Sequence, residues 1–173
     1  MRVILRTPLK SKAKIIEILD AKEDWIRSKF KTFNRQSLLE TTKSDEYLFF
    51  GEYQKGYSKQ FSSMKELEKF YKESAKNYLT PVVEFYAFKM KLQYKMLKFR
   101  KMKSRWGSCS SDRNITLNSE LIKLKKDLID YVVVHELAHL MYMNHSKEFH
   151  KLVNDHLPNS KKLREELRQI SLS

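Results

Sequence analysis

The chain has one cysteine, Cys109, so no disulfide can form within it. It holds only 3 glycines and 3 prolines in 173 residues, which argues against long loops and repeat architectures. No internal repeat or low-complexity tract is visible. No stretch approaches the roughly 20 apolar residues of a membrane-crossing helix. The first apolar run, Val3-Ile4-Leu5, is too short for the core of a secretory signal. These absences read as a soluble, cytoplasmic chain without a membrane partner. Acidic residues are also scarce relative to basic ones: 21 Asp and Glu face 35 Lys and Arg, a net charge of +14. That excess favours an anionic partner such as a nucleotide or nucleic acid, with a solvated lysine-rich surface as the equal alternative. Histidine is missing from almost the whole chain, because all 5 lie within residues 135–156.

What is present bounds the class. Hydrophobic residues make up 41% and charged residues 32%, the balance of a globular chain. The length suits one domain over residues 1–173, with an N-terminal part at 1–60 and a core at 61–173. Oligomeric state has no mark in it.

The histidine window opens with His135-Glu136-Leu137-Ala138-His139. On a helix, residues four apart share a face, so His135 and His139 can aim at one ion. Glu136 borders that ion without having to bind it, which is the H-E-x-x-H arrangement of two ligands and a general base. A helix over about 128–143 is expected on independent grounds. Asp127 can cap it, and the run from Leu128 to Val134 is apolar nearly all round, as in a buried helix. A glutamate and two histidines there are costly unless a metal satisfies them.

A catalytic zinc site uses three protein ligands and keeps one position open. His145 is the better-placed third ligand, with His150 as competitor and otherwise a supporting neighbour. His145 lies too far round to reach the ion from the same straight helix. Asn144, which tolerates left-handed backbone, would turn the chain. Ser146 would then cap a new helix from Lys147. His156 reads as an ordinary residue near a helix end. The expectation is one Zn2+ per chain and a metal-dependent hydrolase using Glu136 as acid and base.

Several stretches resemble one known family: Arg105-Trp106-Gly107-Ser108-Cys109, Ile115-Thr116-Leu117-Asn118, Asp130 through Leu140, Asn144-His145-Ser146 and Phe149. They resemble the YgjP-like metallopeptidases, which are similar to the SprT-like and WLM metalloproteases. The resemblance implies a zincin-like fold and a metallopeptidase acting on peptide or protein substrates. It implies His135, His139 and His145 as zinc ligands and Glu136 as the catalytic acid/base. Residues 3–9 resemble a strand that relatives precede with one or two others, and His150 stands where relatives often carry tryptophan.

The expected fold class is α+β, with a small, mainly antiparallel sheet packed on the central H-E-x-x-H helix and helices flanking it. Helices are expected at 11–31, from Ser63 through Leu79, at 147–156 and at 160–170. Ser63 and Glu66 form a capping box. Thr80-Pro81 would kink the second helix or start another, with helical character to about Leu92. Strands are expected at 47–50, 94–102 and 114–118.

Residues 89–105 are rich in Lys and Arg and hold no acid, with Tyr94, Phe99 and Trp106 interleaved or adjoining. This suits a nucleic-acid track, but a lysine-blunted edge strand is the commoner explanation. Arg105, Tyr131 and Tyr142 are candidates for an oxyanion or substrate contact. Cys109 reads as a small residue beside the cleft rather than a nucleophile. Two rivals stand beside the peptidase: a nucleotide or phosphate-ester hydrolase on the same site, and a nucleic-acid-associated protein with structural zinc.

Overall fold

The computed structural model describes residues 45–170 and, outside them, Ser11, Lys14, Ile16, Ala21 and Leu172. The expected strand at 3–9 lies outside these residues. So does most of the expected helix at 11–31; of its described residues Lys14, Ile16 and Ala21 are helical and Ser11 is not.

The described chain begins with a hairpin that was only half expected. Strand β1 (Glu46–Phe49) pairs antiparallel with β2 (Glu52–Lys55), with Phe49 opposite Glu52. Phe50 and Gly51 form the two-residue turn, with φ of 50° and 82°. Positive φ at both positions matches the right-handed twist of the strands. A short helix, α1 (Tyr57–Gln60), follows.

The long helix α2 spans Met64–Met90. The Ser63 hydroxyl accepts from the Glu66 N–H at 3.3 Å, and the Glu66 carboxylate accepts from the Ser62 N–H at 2.7 Å. Its buried stripe includes Ala75, Leu79, Val83 and Ala87. Packing along that stripe carries the helix through Pro81 rather than ending it there. Lys91, with φ 55°, closes it.

Strands β3 (Met96–Arg100), β4 (Gly107–Cys109) and β5 (Asn114–Asn118) form the second sheet, in the order β3-β5-β4. β5 runs parallel to β3 and antiparallel to β4. Two of the three pairings in the described chain are therefore antiparallel. Ile115 and Leu117 of the central strand are buried. A 3-10 turn at Ser119–Lys123 buries Leu121 and Ile122 and receives the hairpin through Phe50 N–H to Ile122 O at 2.8 Å.

Helix α3 (Lys126–Ala138) runs through the middle of this α+β arrangement. It packs against α2 on one side, β4 and β5 on another, and the terminal helices α4 (Lys147–His156) and α5 (Ser160–Arg168). The sheet lies on the H-E-x-x-H helix, as the resemblance implies. Asp127 sits in the first turn rather than at the cap, which is Lys125. The helix also stops at Ala138, short of the expected Met143, for a reason that belongs to the site.

Candidate metal centre

α3 delivers His135 and Glu136, and His139 caps its C-terminus. The Nδ1 of His139 lies 3.0 Å from the carbonyl of Tyr142. A ring nitrogen facing a carbonyl carries the proton, so Nδ1–H donates and Nε2 keeps its lone pair for a metal. Beside this contact the backbone tightens, with Leu140 N–H bonded to Leu137 O at 2.9 Å and Met141 N–H to Ala138 O at 3.1 Å, both three residues back rather than four. That turn ends α3 early. Asn144 is not left-handed: among the described residues the non-glycine positions with positive φ are Asp45, Phe50, Lys91 and Arg113.

Ser146 caps α4, its hydroxyl accepting from the Phe149 N–H at 3.3 Å. His145, just before it, returns to α3, with its Nε2 3.1 Å from the Nε2 of His135. Potential donor atoms of His135, His139 and His145 all lie within 4.8 Å of one another. Two nitrogens held at ~2.0–2.1 Å by one tetrahedral ion stand about 3.3 Å apart. The His135–His145 pair is thus close to chelating distance, and three imidazoles are the ligand set of a catalytic zinc site.

Phe149 supports all three rings. Its centroid lies 4.9 Å from that of His135, 4.7 Å from His139 and 4.8 Å from His145. Phe149 is 1% exposed, so this platform belongs to the core. His150 stacks on His145 at 6.2 Å and lies outside the donor group. His156 hydrogen bonds Leu152 O at 3.0 Å at the end of α4.

Burial, reinforced by His139 and His145, holds the His135 imidazole down at about 3. Burial likewise lowers His145. Both rings are therefore neutral near pH 7, the form that binds metal. His135 Nδ1 is buried without a hydrogen-bond partner among the described residues. Packing against Phe149, and against Tyr131 at 5.8 Å, holds that ring instead.

Glu136 is 6% exposed, and burial pushes its carboxyl up to about 8 while the Arg105 guanidinium pulls it down. Its carboxylate reaches the cleft because β4 offers no side chain at Gly107. A β-carbon there would sit 2.8 Å or less from Glu136 Cγ, Oε1 and Cδ. Arg105, Ser108 and Cys109 line one cavity of about 480 Å³ together with the three histidines and Glu136.

The approach to β4 is fastened by Asn118, whose side chain is fully buried. Its amide donates to Met102 O at 2.8 Å and Arg105 O at 3.0 Å. Its oxygen accepts from Met102 N–H at 3.3 Å and Glu120 N–H at 3.1 Å. Gly107, Asn118 and Phe149 are thus parts of the site that carry no role in the sequence-based expectations. All three lie in the stretches that carry the family resemblance, but as residues they offer little else: a glycine in a glycine-poor chain, an asparagine ending a strand, and an aromatic four residues after His145.

The other candidates fall as follows. Arg105 precedes β4 and lines the cavity. Tyr131 packs on His135 and lines a neighbouring cavity. Tyr142 contributes its backbone carbonyl to His139. Cys109 is half-buried, and burial followed by the Glu136 charge pushes its thiol up to about 11, away from the reactive thiolate. The basic stretch runs from the end of α2 into edge strand β3, which exposes Lys98 and Arg100. Lys101 just beyond pairs with Glu68 at 2.7 Å. That is the pattern of a charged, solvated edge.

A family model described as the YgjP-like metallopeptidase domain matches residues 49–170. The fold is similar to a crystal structure of the metallopeptidase zymogen of Pyrococcus abyssi abylysin, at 22% identity and a TM-score of 0.49. That match covers 54% of this chain and 98% of the other. It is also similar to the metallopeptidase zymogen of Methanocaldococcus jannaschii jannalysin, at 18% identity and a TM-score of 0.47, covering 52% and 93%. No curated protein sequence matches the chain.

Proposed function

The chain belongs to the YgjP-like metallopeptidase family, and from that premise we propose that it is a zinc-dependent peptidase with His135, His139 and His145 as ligands and Glu136 as acid and base. The observation that carries this reading is the convergence of three imidazoles beside a buried carboxylate in one open cavity. When bound, zinc supplies Lewis-acid polarisation of the scissile carbonyl and lowers the pKa of water toward ~7.

The protein's own groups do the rest. Glu136 takes a proton from the attacking water and, as the neutral acid, gives it to the leaving amine. Its buried position favours holding that proton between the two transfers. Gly107 keeps the carboxylate's place clear, and Asn118 holds the neighbouring loop. Arg105, at the rim, can face the oxyanion that develops on the carbonyl oxygen.

Glu136→Gln is the direct test. The expected result is unchanged zinc content with peptide turnover lowered by a factor on the order of 10³ or more. Full turnover by the zinc-loaded Glu136→Gln variant overturns the mechanism. A panel of unstructured proteins beside nucleotides and phosphate esters separates the peptidase from a phosphate-ester hydrolase. A structural-zinc protein would instead be indifferent to the substitution and unfold on chelation.

A further inference from the structure

A second cavity of about 350 Å³ adjoins the metal cleft and shares Arg105, Gly107, His135 and Glu136 with it. Its own wall comes largely from α5: Arg164, Leu167 and Arg168, with Trp106 and Tyr131 beside them. Three arginines therefore contribute to the lining of one largely apolar pocket, and Glu136 is its sole acidic lining residue. Glu136 lies against Gly107 at the boundary of the two cavities.

Arg164 and Arg168 are not used up internally. Arg164 is half-buried and has no carboxylate partner among the described ion pairs. Arg168 meets Glu165 at 3.3 Å, but both side chains are more than half exposed, and such pairs hold weakly. Like charges gathered on an apolar wall repel one another until an anion joins them. Arginine is always charged, and its planar fork fits a carboxylate with two parallel hydrogen bonds. Trp106, Tyr131 and Leu167 supply a surface for the aliphatic part of whatever carries that carboxylate.

Position decides what the pocket is for. One of its walls is His135 and Glu136, so a chain whose scissile bond lies at the metal cleft places an adjacent group here. We propose that this pocket selects a carboxylate of the peptide substrate next to the bond to be cleaved, with Arg164 and Arg168 as its principal contacts and Arg105 at the junction of the two cavities. The carboxylate comes from an acidic side chain or from the substrate's C-terminus. This inference rests on the peptidase reading above.

The test uses the full-length, zinc-loaded Glu136→Gln chain and titration calorimetry with matched short peptides. The peptides carry Glu or Gln at one internal position and end in a free or amidated C-terminus. A carboxylate should tighten binding about ten-fold or more over its amide counterpart. An advantage of Glu that survives amidation assigns the side chain, and one that requires the free C-terminus assigns the terminus.

The double variant Arg164→Gln with Arg168→Gln should reduce either advantage to within about two-fold. Lys161→Gln with Lys162→Gln, on the same helix and of equal charge change, should leave it intact. Equal binding of acid and amide peptides overturns the proposal. So does a retained preference in the arginine variant, or no binding of any peptide. Cleavage of the same peptides by the wild type, followed by mass spectrometry, separates the two claims. Cleavage without carboxylate preference sinks the pocket alone, whereas selective binding without any cleavage sinks the peptidase reading and leaves the pocket standing.

Discussion

A β-carbon on Gly107 would stand 2.6 Å from Cγ of Glu136 and 2.7 Å from its Oε1. Strand β4 and helix α3 meet where one of them carries no side chain, and the carboxylate occupies the space this leaves. Gly107→Ala should therefore push Glu136 aside while leaving the histidines in place. Displacement of a catalytic group by about 1 Å costs roughly 10²-fold in turnover. The check is kcat beside elemental analysis. Turnover within about two-fold of wild type would mean that this contact does not position the carboxylate.

His145 and His150 neighbour each other in the fold but should differ in effect. His145→Ala removes a donor from the three-imidazole group and should leave zinc well below one per chain. His150→Ala removes only a ring stacked on His145 and should keep close to full zinc. Metal content by elemental analysis after dialysis decides it. Equal loss in both variants would make His150 a ligand.

Asn118→Ala would strip partners from the backbone at Met102, Arg105 and Glu120. Leaving such buried groups unsatisfied should destabilise the fold by about 2–4 kcal/mol. Urea denaturation measures this. The variant should also lose activity under conditions where it remains folded, because the loop carrying Arg105 keeps only its backbone tie from Asn118 N–H to Trp106 O and loses the side-chain ties to Met102 and Arg105.

Phe149→Ala should cost about 3–5 kcal/mol as a core truncation. It should also weaken zinc binding at least ten-fold in a chelator competition, because the ring touches all three imidazoles. Phe149→Leu, which keeps an apolar platform, should recover most of both. Zinc affinity unchanged in the alanine variant would show that the rings hold their own positions.

The Tyr86 hydroxyl donates to Asp130 at 3.2 Å, yet burial keeps the Asp130 carboxyl above its ordinary value. A raised folded-state value means that ionised Asp130 costs stability above it, and that the cost vanishes below the unfolded value of ~3.9. Asp130→Asn retains an acceptor for Tyr86 and should be more stable than wild type at pH 7. The advantage should shrink as pH falls through the raised value. Urea midpoints for both proteins between pH 4 and 8 test the sign, and a gap that widens toward acid would contradict it.

The parts of this structure that can be read from the chain are those made by neighbours in sequence. The H-E-x-x-H spacing, the Ser63 and Ser146 caps and the bounds of β5 and α4 all follow from residues within a turn or strand of one another. The misses are contacts between distant segments or competitions that pattern does not register. The apolar run after His139 continues past the helix end, where the backbone tightens into three-residue turns and His139 bonds Tyr142 O, neither of which hydrophobic periodicity registers. The parallel pairing of β3 with β5 depends on β4 occupying the other edge. Asn118 looks like any strand-ending asparagine until the loop it holds is folded over it. Gly107 is explained only by Glu136, which comes 29 residues later (136 minus 107).

The three proposed ligands all fall within residues 135–145. Closing so short a ring costs about 2 kcal/mol less chain entropy than closing one ten times longer. Bringing these three imidazoles together therefore takes little chain entropy, and Phe149 of α4 completes their packing from just beyond the ring. Glu136 owes its surroundings to β4, whose Gly107 lies 29 residues earlier in the chain. The imidazole cluster and the seat of Glu136 thus rest on contacts of different range, one local in the chain and one between distant segments, so a change in β4 can disturb the carboxylate while leaving the histidines together.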